Sequence, residues 1–166
     1  MTISLFSVIN PSTVSNIPTD ADASEQPSSV AANKLVDTGN DFSNVSIADY
    51  VVLWDDPSVF TTVTALDSAT QLSLADDIIT DTDQYYLVVT AAEAFKVTLD
   101  TTAGEGFDFN VLCAPGDLVE AGGQSMDQTL SGCRIVSIDS PTQITVDLPM
   151  GGYGDVIIGT QKNANT

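Results

Sequence analysis

Residues 63–74 read VTALDSATQLSL and residues 135–146 read IVSIDSPTQITV. Aligned, Asp67, Ser68, Thr70 and Gln71 meet Asp139, Ser140, Thr142 and Gln143, and every apolar position has an apolar or small partner. Each copy alternates apolar and polar residues, breaks at a polar cluster, then alternates again. Alternation with β-branched residues marks a half-buried strand. Asp and Ser start turns because their side chains bond the backbone two residues on, and Pro141 pre-sets φ for one. The stretch therefore predicts a β-hairpin that occurs twice.

Working outward, each hairpin sits inside a longer unit. The first runs over residues 33–90. Lys34–Asp37 opens a strand, Phe42 enters the core, and Tyr50–Trp54 and Val59–Ala65 are strands separated by the turn Asp55-Asp56-Pro57-Ser58. Tyr85–Val89 closes the unit. The second runs over residues 95–160. Val97–Thr101 answers the opening strand, Phe107 or Phe109 answers Phe42, and Gly116-Asp117-Leu118-Val119 answers Ala48-Asp49-Tyr50-Val51. Asp155–Ile158 answers the Tyr85 strand. Thr90–Phe95 is a junction rich in Ala and Glu that predicts one helical turn. Helical periodicity is otherwise nearly missing. The expected fold is all-β: two tandem small β-barrel or sandwich units related by internal duplication. Units of roughly 60 residues bury too little surface to stand alone, so they should pack together or on a partner.

Residues 1–32 differ from the rest. They are rich in Ser, Pro, Thr, Asp and Ala and include Pro11, Pro18 and Pro27, which block helix and central strand. We expect an extended N-terminal arm whose first residues, Ile3, Leu5, Phe6, Val8 and Ile9, form an apolar anchor for a neighbour. The competing reading is a terminus tucked against its own domain. Residues 161–166 read as a polar tail.

The 166-residue chain carries 23 acidic and 4 basic side chains, a formal charge of −19, and no histidine. That charge repels nucleic acid and anionic membranes, so neither is an expected partner. No stretch approaches the roughly 20 apolar residues that span a bilayer, and the N-terminus lacks a signal peptide's basic and apolar regions. These features predict a soluble product made in the cytoplasm. Without histidine the commonest general base and metal ligand are missing, so no catalytic residue, metal or cofactor is assigned.

Asp55-Asp56, Asp76-Asp77 and Asp81-x-Asp83 could offer oxygens to calcium, or a carboxylate pair to a hydrolase. None matches a calcium-loop spacing, and turn residues on a solvated rim account for them better. Gly104-Glu105-Gly106 and Gly122-Gly123 lack the helix and Lys-Ser/Thr that phosphate cradling needs. Arg134 is expected to pair internally or at an interface. Cys113 and Cys133, the only cysteines, read as small buried hydrophobes, with one disulfide as the alternative. Trp54, Phe60 and Tyr153 are candidate interface aromatics.

The runs Leu35-Val36-Asp37-Thr38-Gly39-Asn40-Asp41-Phe42, Ile47-Ala48-Asp49-Tyr50-Val51, Thr62–Ile78 and Tyr85–Val89 together resemble a repeat of tailed-bacteriophage virion proteins. Those proteins carry an Asp-Phe pair, a Gly-Asp-x-Val step and a V-D-S-x-T-Q-L-x-L hairpin. Ala48 departs from the Gly-Asp-x-Val step, whereas Gly116-Asp117-Leu118-Val119 keeps it. The resemblance covers residues 34–159. It implies a structural β-module without catalytic residues. It points to a capsid decoration or cement protein on the virion exterior, with the major capsid protein or other virion proteins as partners. It also implies a homo-oligomer, commonly a trimer in such families. A head–tail neck, tail or fibre component, or a carbohydrate-binding tail module, is the alternative.

Overall fold

The computed structural model describes residues 3–7, 26–98, 108–122, 133–150 and 155–159. The protein is mostly β. In chain order the strands are β1 (Ile3–Ser7), β2 (Ser29–Ala31), β3 (Lys34–Val36), β4 (Tyr50–Leu53), β5 (Phe60–Ser68), β6 (Gln71–Leu74), β7 (Tyr86–Val89) and β8 (Lys96–Thr98). After them come the short helix α1 (Phe109–Leu112), β9 (Leu118–Gly122), β10 (Ile135–Ser140), β11 (Gln143–Val146) and β12 (Asp155–Gly159).

Three antiparallel sheets result, with strand orders β2-β3-β6-β5-β4-β7, β8-β11-β10 and β1-β12-β9. These orders are open, so the barrel form of the expectation is corrected. A barrel needs every strand flanked on both sides around a closed ring. Here the nine-residue β5 divides its length instead. Its first residues, Phe60–Thr62, pair with β4, and Val63–Ser68 pair with β6. β3 and β7 therefore attach through opposite ends of one strand. The segment expected as an arm supplies two edge strands: β2 lies on β3, and β1 lies on β12.

The core follows from alternation. In β6 the pattern is half-buried, buried, half-buried, buried, which puts Leu72 and Leu74 inside. β11 repeats it with Ile144 and Val146. β7 is buried at all four residues, as expected for an unbroken apolar run. The buried apolar side chains of residues 35–97 and 109–150 form one cluster. A fully buried Leu or Ile stabilises by about 1.5–3 kcal/mol relative to exposure, so these positions dominate the energetics.

The junction turns rather than forming a named helix. The Ala94 and Glu93 amides donate to the Thr90 carbonyl at 3.0 and 3.1 Å. The turn delivers Phe95 edge-on to Tyr50, with ring centroids 5.3 Å apart, and near Phe60 at 6.1 Å. The Phe95 carbonyl also accepts from the Val146 amide at 2.9 Å. One junction residue thus contacts both halves of the chain. The helix forms elsewhere, at α1, where the Asp108 carboxylate accepts from the Asn110 amide at 2.8 Å. That is ordinary N-capping.

Candidate functional site

The two hairpins carry the same register. In β5–β6 the partners are Val63 with Leu74, Ala65 with Ser73, Leu66 with Leu72 and Ser68 with Gln71. In β10–β11 they are Ile135 with Val146, Ser137 with Thr145, Ile138 with Ile144 and Ser140 with Gln143. Irregularities fall at matching places in both. A bulge adds one residue on one strand and re-aims the next side chain. The third strand also matches: β3 sets Lys34 against Ser73, and β8 sets Lys96 against Thr145.

That register builds one side-chain cluster in each half. Lys34 Nζ donates to Asp67 Oδ2 at 2.7 Å and to Ser73 Oγ at 2.6 Å. The Gln71 amide also donates to Asp67, at 3.0 Å. In the other half, Lys96 Nζ donates to Asp139 Oδ2 at 2.6 Å, and Thr145 Oγ1 donates to the same oxygen at 2.7 Å. Lys34, followed by Gln71 and Ser73, holds the Asp67 carboxyl down at about 2. Lys96 and Thr145 lower Asp139 in the same way. Each lysine thus engages a carboxylate and a hydroxyl on the two neighbouring strands. Chemically these clusters are clamps across three strands.

The backbone before each hairpin is held alike. Ala48 has φ 77° and Gly116 has φ 94°. The Ala48 amide donates to the Val63 carbonyl at 2.9 Å, and the Gly116 amide to the Ile135 carbonyl at 2.8 Å. Asp49 Oδ2 accepts from the Ser46 amide at 2.8 Å, and Asp117 Oδ2 from the Ala114 amide at 2.9 Å. The Gly-Asp step thus has a physical basis: a left-handed residue, then a carboxylate that ties down its own turn.

The first half has a buried polar knot as well. Tyr86 Oη donates to Asp37 Oδ2 at 2.6 Å and accepts from Asn40 Nδ2 at 3.3 Å. Asp37 Oδ1 accepts from the Gly39 amide at 2.9 Å and from Ser28 Oγ at 3.1 Å. Asp37, Asn40 and Tyr86 are all buried. A buried carboxylate needs such donors to persist.

Asp56 and Asp81 close their own turns, whereas Asp76 and Asp77 reach segments distant in sequence. Asp56 Oδ1 accepts from the Ser58 amide at 3.1 Å, Asp77 Oδ1 from the Asn33 amide at 2.9 Å, and Asp81 Oδ1 from the Asp83 amide at 3.1 Å. Asp76 Oδ2 accepts from Thr61 Oγ1 at 3.1 Å. Among the described residues no group of three or more His, Cys, Asp or Glu is placed to hold a metal. Arg134 Nη1 donates to the Gly116 carbonyl at 2.9 Å, and its amide donates to Asp147 at 2.6 Å. Both cysteines are free. Burial pushes the Cys113 thiol up to about 11 and the Cys133 thiol up to about 12.

Of the expected contact residues, Ile3, Leu5 and Phe6 lie in β1. Trp54 is half-buried against the core, and its amide donates to the Tyr85 carbonyl at 2.9 Å. Phe60 packs with Tyr50 and Phe95. Val8, Ile9 and Tyr153 lie outside the described residues, as do Gly104–Gly106 and Gly123. Phe60 thus belongs to an aromatic trio, and Trp54 and Phe60 are both half-buried. The lysine clamps escaped the sequence reading. Their signal was present, because two of four basic residues precede the same Leu or Val in the two opening strands.

Comparison of the chain with protein-family models, curated proteins and solved structures found no match.

Proposed function

We propose that the protein is a non-enzymatic virion structural protein of a tailed bacteriophage, a decoration or cement protein that binds the assembled capsid shell. It is a duplicated β-unit with an N-terminal arm, and it acts by adhesion. The observation that carries this reading is the matched pair of three-stranded clamps. Lys34, Asp67 and Ser73 recur as Lys96, Asp139 and Thr145, on the same register and with the same partners. Residues that recur between the halves are spent on holding strands together, which suits a scaffold. The resemblance of residues 34–159 to virion repeats supplies the particle. The charge of −19 favours a soluble exterior position and disfavours contact with packaged nucleic acid.

On this reading the arm engages the shell. Its lost chain entropy, about 1–2 kcal/mol per residue, is offset by burial and added strand pairing. Truncation should stop before Gln26, because β2 belongs to the first sheet. The test is to mix purified chain, intact or lacking residues 2–25, with undecorated shells and measure sedimenting copies per particle. The intact chain binds in hundreds of copies. The truncated chain stays folded and does not bind. Normal decoration by the truncated chain overturns the arm's role, and no sedimentation of the intact chain overturns the shell as target.

A further inference from the structure

We propose that β1 is an exchangeable strand, able to leave the β12 edge of its own chain and pair with β12 of a second copy. The inference goes beyond the decoration reading and does not depend on it, since it concerns copies of this chain alone.

Three observations carry it. First, β1 is a terminal strand of its sheet, in antiparallel register from Ile3 with Gly159 to Ser7 with Asp155. Among the named elements, β12 is the one that β1 meets extensively. Its departure breaks one edge ladder and leaves the β9–β12 pairing intact. Second, 21 residues separate the end of β1 from the start of β2. Fully extended they span roughly 70 Å. A chain of this size has a radius of gyration of about 15 Å, so the tether is long enough to reach the same edge on an adjoining copy. Third, the ladder is built from backbone groups of the same two segments in either arrangement. Its pairing is therefore the same within one chain or between two, which is the condition for strand exchange.

What decides between the two arrangements is concentration. An unstructured chain of this length would have an r.m.s. span of roughly 25 Å and would supply an effective concentration on the order of millimolar. Dilute chains therefore keep β1 at home. Chains crowded to near-millimolar, or held side by side on a surface, exchange it. Exchange around a closed ring of copies would link them without any new interface chemistry.

The test uses two chains with one introduced cysteine each, both in a Cys113→Ala background that keeps Cys133. Cys133 is fully buried, with its thiol pushed up to about 12, and stays silent. One chain carries Ser7→Cys and the other Asp155→Cys, which are register partners. Paired strand positions lie about 4.5–5.5 Å apart between Cα atoms, within disulfide range. A covalent heterodimer enriched over the control pair reports β1 of one chain on β12 of the other. The control partner carries Gly159→Cys, at the far end of the same ladder.

Mixed at about 1 mM and oxidised briefly, the in-register pair gives at least tenfold more heterodimer than the control pair. At about 10 μM the yield falls by a similar factor or more. Ser4→Cys with Ile158→Cys repeats the experiment in case a terminal variant fails to fold. Equal yields for the in-register and control pairs, or no heterodimer at either concentration, overturn the proposal. Shell binding is not read in this assay, so its outcome is separable from that of the decoration reading.

Discussion

Exchanging the residue at two equivalent turns should move stability in opposite directions. Ala48 sits at φ 77° and Gly116 at φ 94°, each just before the Asp that closes its turn. A side chain in this left-handed region costs about 1–2 kcal/mol. Glycine avoids that cost but loses about 0.4–1 kcal/mol through the freedom of its unfolded chain. The difference predicts that Ala48→Gly stabilises by about 0.5–1 kcal/mol. Ala48 is exposed, so little packing is given up. Gly116→Ala should destabilise by about 1 kcal/mol. A Cβ built at Gly116 meets nothing within 4 Å, so the cost is backbone strain and not a clash. For a chain of this length each kcal/mol moves the melting temperature by about 2–4 °C. Ala48→Gly should therefore raise it by about 1–4 °C, and Gly116→Ala should lower it by about 2–4 °C. Urea denaturation followed by far-UV circular dichroism reads both, with an unchanged slope showing that the denatured state is unaltered. A fall in midpoint for Ala48→Gly, or a rise for Gly116→Ala, refutes the strain argument.

Two further outcomes follow from the buried knot and the clamps. Tyr86→Phe removes a hydroxyl that donates to buried Asp37 and accepts from buried Asn40, so it should cost about 2–3 kcal/mol, read by the same denaturation; a loss under about 0.5 kcal/mol would show that the knot is not under load. The folded-state pKa of Asp67 is held at about 2 by Lys34, Gln71 and Ser73, below its unfolded value of about 3.9. The unfolded chain therefore binds more protons as acid is added, and the contribution of Asp67 is present above about pH 4 and lost as pH falls through 2. Carboxyl NMR titration should give a midpoint near 2 that moves back toward the usual range in Lys34→Met. Melting temperature should fall less steeply from pH 4 to 2 in Asp67→Asn than in the parent.

The strands were legible because their residues obey period two. Leu72 and Leu74, and Ile144 and Val146, are buried where the alternation puts them. The turns were legible because Asp, Ser, Asn and Pro have few other uses in such runs. Sheet connectivity was not. Nothing local says that β5 divides between two neighbours, since pairing partners are set by contacts distant in sequence. β5 also runs to Ser68, beyond the expected Ala65, because the hairpin ladder carries Asp67 outward to meet Lys34. α1 was missed because a single turn has no measurable period, and Phe109 was matched only to the core residue Phe42. The Tyr86–Asp37 contact joins residues 49 apart. Only the folded register brings them together.

The N-terminal segment is one source of inequality between the two halves. Residues 34–89 and 96–159 share hairpin register, clamp and turn. Yet β2 covers the outer side of β3, whereas no described strand pairs with the outer side of β8, which occupies the matching place. Conversely β1 covers β12, whereas β7 has β4 as its sole strand partner among the described residues. Open strand edges recruit other chains unless they are covered. One segment of 33 residues before β3 thus shields one edge in each half, and by different strands. Of the two, β2 is fastened by a two-residue turn to the strand it covers, and β1 is joined only by its long tether. On the exchange proposal the cover on β3 stays in place, and the cover on β12 is conditional. A scaffold meant to exist both as free copies and as neighbours in an assembly would place its removable edge strand where this chain has placed β1.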